Sequence, residues 1–182
     1  MQVEKSPLAG CLVLTPRIFN DHRGWFIESF NQKTWDEALG QEMNWVQDNH
    51  SVSHRGVLRG LHFQNGEFAQ AKLVRVVQGE VIDIAVDLRK DSPTYKQSFA
   101  TRLSADNQRQ IFVPRGFGHG FVALQENTVL LYKCDNYYAP QAEGGIRFDD
   151  PDLNLDWGLP HDELILSDKD LKLPSLKEWE NG

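Results

Sequence analysis

The sequence predicts an all-β fold, an antiparallel sandwich or barrel with few short helices. Three observations lead there. Short runs rich in Val, Ile and aromatic residues recur along the chain, turn residues separate them at regular spacing, and only one clear helix start occurs. At 182 residues, with 40% hydrophobic and 10% aromatic residues, the chain is long and apolar enough for one domain with a substantial core.

Cys11 to Thr15 is read as a first strand, ended by Pro16. A turn near Asn20-Asp21 leads into the aromatic run Trp25 to Phe30, read as a second strand flanked by Arg23 and Glu28. Thr34 to Gly40 carries the spacing of a capping box, Thr34 to Glu37, and a closing glycine, which marks a short helix.

The stretch Gln47 to Gln64 reads as the functional centre. It opens with the polar set Gln47, Asp48 and Asn49, turns at His54-Arg55-Gly56, and enters a strand-like alternation from Val57 to Gln64. Side chains two apart share a face in a strand. Gly60, His62 and Gln64 are therefore expected on one face, and Arg59, Leu61 and Phe63 on the other.

Beyond it, Ala71 to Val77 and Glu80 to Leu88 are two β-branched runs joined at Gln78-Gly79, a hairpin signal. Asp83 interrupts the apolar alternation of the second run. A carboxylate facing a core must be paired or functional, and pairing with a nearby cation is expected. Strands follow at Gln97 to Leu103, Gln110 to Val113, Gly120 to Leu124 and Val129 to Cys134. From about Ala139 onward Pro and Asp become frequent. One domain over residues 1–182 is expected, with residues 139–182 as a covering segment.

Charge and composition exclude several function classes. The net charge is −7, which argues against nucleic acid as a partner. Residues 135–182 carry −8 of it and residues 1–134 balance at +1, so a few cations in the body could hold an anionic ligand locally. No apolar run approaches the ~20 residues of a membrane helix, and the first residues lack a signal-peptide profile. Two cysteines, Cys11 and Cys134, form no disulfide framework and no metal motif. A cytoplasmic protein is expected.

Pro114-Arg115-Gly116-Phe117-Gly118-His119 has the form P-x-G-x-x-H, the second motif of the cupin jelly rolls. The first motif of that fold supplies a H-x-H pair and an acid. Here the place holds His62-Phe63-Gln64, followed by the cation Lys72. Imidazole and carboxylate are the usual ligands of a transition metal, so this set argues against a bound metal.

The motifs DHRGWFIES, QDNHS, LRGLHFQ, KLVRVVQGEV, the P-x-G-x-x-H-G-F segment and LYKCDNYY together give a resemblance to the dTDP-4-dehydrorhamnose 3,5-epimerases over essentially the whole length. The resemblance implies a metal-free, cofactor-free cupin jelly roll, a homodimer, and a dTDP-4-dehydro-6-deoxyhexose as substrate. It implies His62 as the base, Asp170 of Ser167-Asp168-Lys169-Asp170 as its carboxylate partner with Asp168 as the near neighbour, Tyr132 as the acid, and Lys72 beside the sugar. Read from the residues alone, Asp170 fits a solvated turn and Tyr132 a packed strand equally well. The resemblance further implies Arg59 and His119 at the diphosphate, and Gln47, Asp48 and Asn49 at the nucleotide. Arg23 and Glu28 would come from a partner subunit. Tyr138 would stack on the base, with Tyr137 beside it as the alternative, and Glu143 and Lys169 would make further contacts. A single-carbon epimerase or an isomerase of a related dTDP-keto-sugar, a cupin that only binds a nucleotide sugar, and a metal-dependent oxygenase are the competing readings.

Overall fold

The computed structural model describes residues 1–182. In chain order the strands are β1 (Gln2–Lys5), β2 (Leu12–Thr15), β3 (Ile18–Asp21), β4 (Gly24–Ile27), β5 (Gln47–Ser53), β6 (Leu58–Gln64), β7 (Lys72–Gln78), β8 (Glu80–Asp87), β9 (Ser98–Ser104), β10 (Gln110–Val113), β11 (Phe117–Ala123), β12 (Thr128–Cys134) and β13 (Glu143–Gly145). Two short α-helices, α1 (Gln32–Leu39) and α2 (Leu176–Asn181), complete the regular structure with four single turns of 3-10 helix. No helix is long and apolar enough to cross a membrane.

β3 and β4 pair separately, and the other eleven strands form two antiparallel sheets, the all-β architecture the sequence predicts. One has the order β1-β2-β10-β7-β12-β5, the other β13-β6-β11-β8-β9. Alternation sends Val74, Val76, Leu130, Ile111, Ala85, Phe117 and Phe121 into the space between the sheets, where they make one buried cluster. The opposite face of the five-stranded sheet buries Leu58, Leu61, Ile84, Val86 and Val122 against residues 146–179, including Ile146, Trp157 and Leu176. A third cluster forms where Trp35 of α1 packs on Leu14, Leu73 and Phe112 of the six-stranded sheet.

Helix α1 begins earlier than the Thr34–Glu37 spacing predicts. Its N-cap is Asn31, whose side chain accepts from the Thr34 amide at 3.3 Å, and its end is Gly40 at φ +70°. Asn caps as well as Thr, and the first available capper takes the site. The strand expected over Trp25 to Phe30 stops at Ile27 and pairs with β3 as a separate two-stranded hairpin. That hairpin leaves Phe19, Trp25 (58% exposed) and Phe26 (66%) in the open.

The expected facing of β6 needs one correction. His62 pairs with His119 of β11, but Arg59 pairs with Phe121, so three steps on β6 match two on β11. An extra residue of this kind is a β-bulge, which resets the alternation. It falls at Gly60, at φ +133°, where a Cβ would stand 2.5 Å from Gly120 Cα. Arg59 consequently lines the same cavity as His62 instead of the opposite face.

Candidate active site

Between the sheets lies a cavity of about 560 Å³. The five-stranded sheet contributes Arg59 and His62 from β6 and His119 from β11. The six-stranded sheet contributes Lys72 from β7, Asn49 and Ser51 from β5, and Tyr132 from β12. Residues 165–170, with Lys169 and Asp170, close one side.

His62 Nε2 lies 2.6 Å from Asp170 Oδ1. Asp170 reaches it from a 3-10 turn, its amide bonded to Ser167 Oγ at 3.1 Å, and is almost wholly buried. Burial alone would raise its pKa, but hydrogen bonds and charge from His62, together with Ser167 and the Gly60 backbone, hold it below the usual carboxylate value. With Nε2–H donated to Asp170, the lone pair of the neutral ring sits on Nδ1, available to accept a proton.

A second imidazole–carboxylate pair stands beside the first. His119 Nε2 is 2.9 and 3.0 Å from the two oxygens of Asp83, which is 0% exposed. The inward-facing Asp83 is thus paired as its burial demands, with an imidazole as its partner where the sequence led to the expectation of a cation.

On the opposing wall, burial pushes the Tyr132 phenol above its ordinary pKa, and the Arg59 guanidinium acts against that rise. Lys72 Nζ stands 5.9 Å from the Tyr132 ring centroid. Burial pulls the Lys72 ammonium below its ordinary value, while the charges of Asp83 and Glu143 act to restore it. Arg59 is anchored by Nε to Ser53 Oγ at 3.3 Å and by a second nitrogen to the Val52 carbonyl at 3.4 Å.

The remaining expected residues fall into three groups. Gln47, Tyr138, Glu143 and Lys169 form a connected rim. Gln47 accepts from the Tyr138 amide at 2.9 Å, the Tyr138 hydroxyl donates to Glu143 at 2.9 Å, and Lys169 pairs with Glu143 at 2.6 Å. Tyr137 and Tyr138 are both exposed there, so neither is singled out as the stacker. Asp48 is not brought into the cavity. Alternation along β5 turns it to the outer face, 70% exposed and 2.9 Å from Lys133. Arg23, 79% exposed and paired with Asp21, and Glu28 belong to the β3–β4 hairpin and its exit, away from the cavity. Of that pair, Asp168 is exposed and Asp170 is buried against His62.

As for metal, the structure contains no cluster of three or more His, Cys, Asp or Glu side chains arranged to hold an ion. Gln64, at the place of a cupin ligand, spends its amide on backbone groups. It donates to the Phe68 and Tyr137 carbonyls and accepts from the Ala139 amide.

Sequence reasoning missed Ser51. The residue lines the cavity while its hydroxyl is buried without a partner, a property only the packed structure reveals.

Comparison with known proteins adds the family. A family model described as dTDP-4-dehydrorhamnose 3,5-epimerase matches residues 5–178. A Salmonella typhimurium protein named dTDP-4-dehydrorhamnose 3,5-epimerase is 50% identical over 98% of this chain and 97% of its own. The crystal structure of the enzyme of that name from Elizabethkingia anophelis superposes with a TM-score of 0.94 at 48% identity, covering 98% of this chain and 97% of that one. A 3,5-epimerase from Legionella pneumophila, solved in complex with dTDP-4-keto-L-rhamnose, gives 0.92 at 43% identity, covering 97% and 93%.

Proposed function

Because the chain belongs to the dTDP-4-dehydrorhamnose 3,5-epimerase family, we propose that it inverts C3 and C5 of dTDP-4-dehydro-6-deoxy-D-glucose to give dTDP-4-dehydro-L-rhamnose. The observation that carries this reading is the division of the site between two walls. His62 stands on one sheet and Tyr132 on the other, with a sugar-sized space between them.

Inverting a carbon beside a ketone requires a base on one face and an acid on the opposite face. Neutral His62 takes the C–H proton on Nδ1, and Asp170 stabilises the imidazolium that forms. The electron pair moves into the carbonyl, and the Lys72 ammonium supplies a donor for the enolate oxygen. Tyr132, kept protonated by burial, returns a proton from the far wall. A positioned acid or base contributes ~10²–10⁴ in rate and an oxyanion donor ~10²–10³, so their combination just reaches the enzymatic range above ~10⁶.

Arg59 and His119 supply cationic or N–H contacts for the diphosphate, and Gln47, Asn49, Tyr138, Glu143 and Lys169 frame the nucleotide. The reaction needs no metal or cofactor. Both imidazoles already bond carboxylates, Gln64 is committed to backbone, and Lys72 lines the same cavity.

The active unit is a homodimer. The exposed aromatic hairpin β3–β4 and the open edge strand β5 support exchange between copies, and Arg23 and Glu28 would then enter the partner's site. The chain works as one domain in the cytoplasm, in keeping with two buried, unpaired cysteines.

The deciding assay supplies dTDP-4-dehydro-6-deoxyglucose, a rhamnose-forming reductase and NADPH. Nucleotide oxidation that depends on this protein is expected. Its absence defeats the reading, and inversion of one carbon alone, seen by NMR, narrows it to a single-carbon epimerase.

A further inference from the structure

We propose that Gln64 is a positioning residue for nucleotide recognition, holding Tyr138 at the rim of the cavity as a preformed platform for the flat face of the base. The assignment rests on the epimerase reading above. Gln64 follows His62 by two residues on the same face of β6 and is 6% exposed. It acts through the chain it holds, not through contact with substrate.

Residues 137–139 belong to no strand or helix, so their backbone groups find partners elsewhere. Gln64 supplies two of them. Its Nε2 donates to the Tyr137 carbonyl at 3.1 Å and its Oε1 accepts from the Ala139 amide at 2.7 Å, which brackets Tyr138 on both sides. The same Nε2 also donates to the Phe68 carbonyl at 2.7 Å, tying the bracket to the turn at residues 66–68. Gln47 completes the set by accepting from the Tyr138 amide at 2.9 Å. The bracket needs a donor and an acceptor in one planar group, which an amide side chain provides and a carboxylate or thioether does not.

Exposure does not separate Tyr137 (66%) from Tyr138 (54%), but hydrogen bonding does. The Tyr138 hydroxyl donates to one oxygen of Glu143 at 2.9 Å, and the other oxygen pairs at 2.6 Å with Lys169, which lines the cavity. Tyr138 is thus held at its backbone by two glutamines and at its tip by a carboxylate that also grips a cavity-lining ammonium. Ordering a free side chain on binding weakens affinity by about two- to tenfold, a cost that this bracket removes beforehand.

The test is a double-mutant cycle on dTDP binding, by calorimetry, combining Gln64→Met with Tyr138→Ala and, separately, with Tyr137→Ala. Turnover of the keto-sugar and inhibition by inorganic pyrophosphate are measured alongside. Gln64→Met should weaken dTDP binding and raise KM by about two- to tenfold, with kcat and pyrophosphate inhibition unchanged. Tyr138→Ala should cost less in the Gln64→Met background than in the parent, whereas Tyr137→Ala should cost the same in both. Gln64→Glu, which keeps the acceptor for Ala139 and loses both donations, takes its place in the cycle if Gln64→Met fails to fold. Equal cost of Tyr138→Ala in both backgrounds, coupling to Tyr137→Ala instead, a fall in kcat at constant KM, or an equal weakening of pyrophosphate each overturns the assignment and leaves the epimerase reading intact. A parent that neither binds dTDP nor turns over the keto-sugar overturns that reading and this assignment together.

Discussion

His62 and His119 occupy directly opposed positions on β6 and β11, and each binds a buried carboxylate through Nε2, Asp170 in one case and Asp83 in the other. Side by side on one wall, the two rings differ in setting. His62 remains half-buried and its carboxylate arrives from outside the sheet, whereas His119 and Asp83 are buried within it.

The proposed mechanism gives proton removal to His62, the more open of the two rings. A His62→Ala variant should lose ~10²–10⁴ in kcat and should no longer exchange solvent deuterium into C3 or C5, measured by mass spectrometry. Asp170→Asn should lower kcat comparably while leaving KM within a few-fold, because the ring stays in place without its counter-charge.

Tyr132→Phe separates removal of the proton from its return. The base wall is untouched, so deuterium should still appear beside the ketone while net inversion falls by ~10²–10⁴. NMR of the reaction in D₂O checks both at once.

Acid stability should depend on Asp87. Burial acts to raise its pKa, but hydrogen bonds from Arg89, Ser92 and Thr94 bring it down to about 2. A depressed folded-state pKa stabilises the fold above the unfolded value near ~4, and the contribution disappears as pH falls toward 2. The shift corresponds to about 2 kcal/mol. Asp87→Asn should therefore melt at lower temperature at pH 7 and show a weaker dependence between pH 4 and 2, by calorimetry across that range.

Gly60→Ala tests the bulge that carries Arg59 to the site. Its new Cβ would combine an unfavourable φ of +133° with backbone 2.5 Å away. A cost of at least ~1–3 kcal/mol is expected, seen as a lower melting midpoint, with activity reduced further than stability alone explains.

In the proposed dimer, the hairpin should hold the two copies together. Trp25→Ser with Phe26→Ser removes exposed aromatic surface that the isolated fold does not use. Sedimentation should shift from dimer to monomer, and activity should fall with it as Arg23 and Glu28 leave the partner's cavity.

Most of the architecture was legible because alternation reports burial directly. The runs around Val74, Ile84 and Leu130 face both the sandwich interior and a covered outer surface, so their apolar character is continuous. Strand β5 escaped because its outward residues Asp48, His50 and Val52 are exposed and its inward ones are polar, leaving no hydrophobic period to read. The facing of Arg59 failed at Gly60, where pairing with β11 gains a residue that no local pattern announces. Asp170 could be named only by resemblance. A lone carboxylate in a turn looks the same in sequence whether it meets water or an imidazole 108 positions earlier.

That separation along the chain has a temporal side. During synthesis the barrel-like body, with its base and acid already opposed, emerges from the ribosome well before the turn bearing Asp170. Full turnover would therefore wait on the docking of this late segment, and a protease that nicked the protein ahead of Asp170 and released the piece would remove Leu176 and its packing on the five-stranded sheet together with the carboxylate.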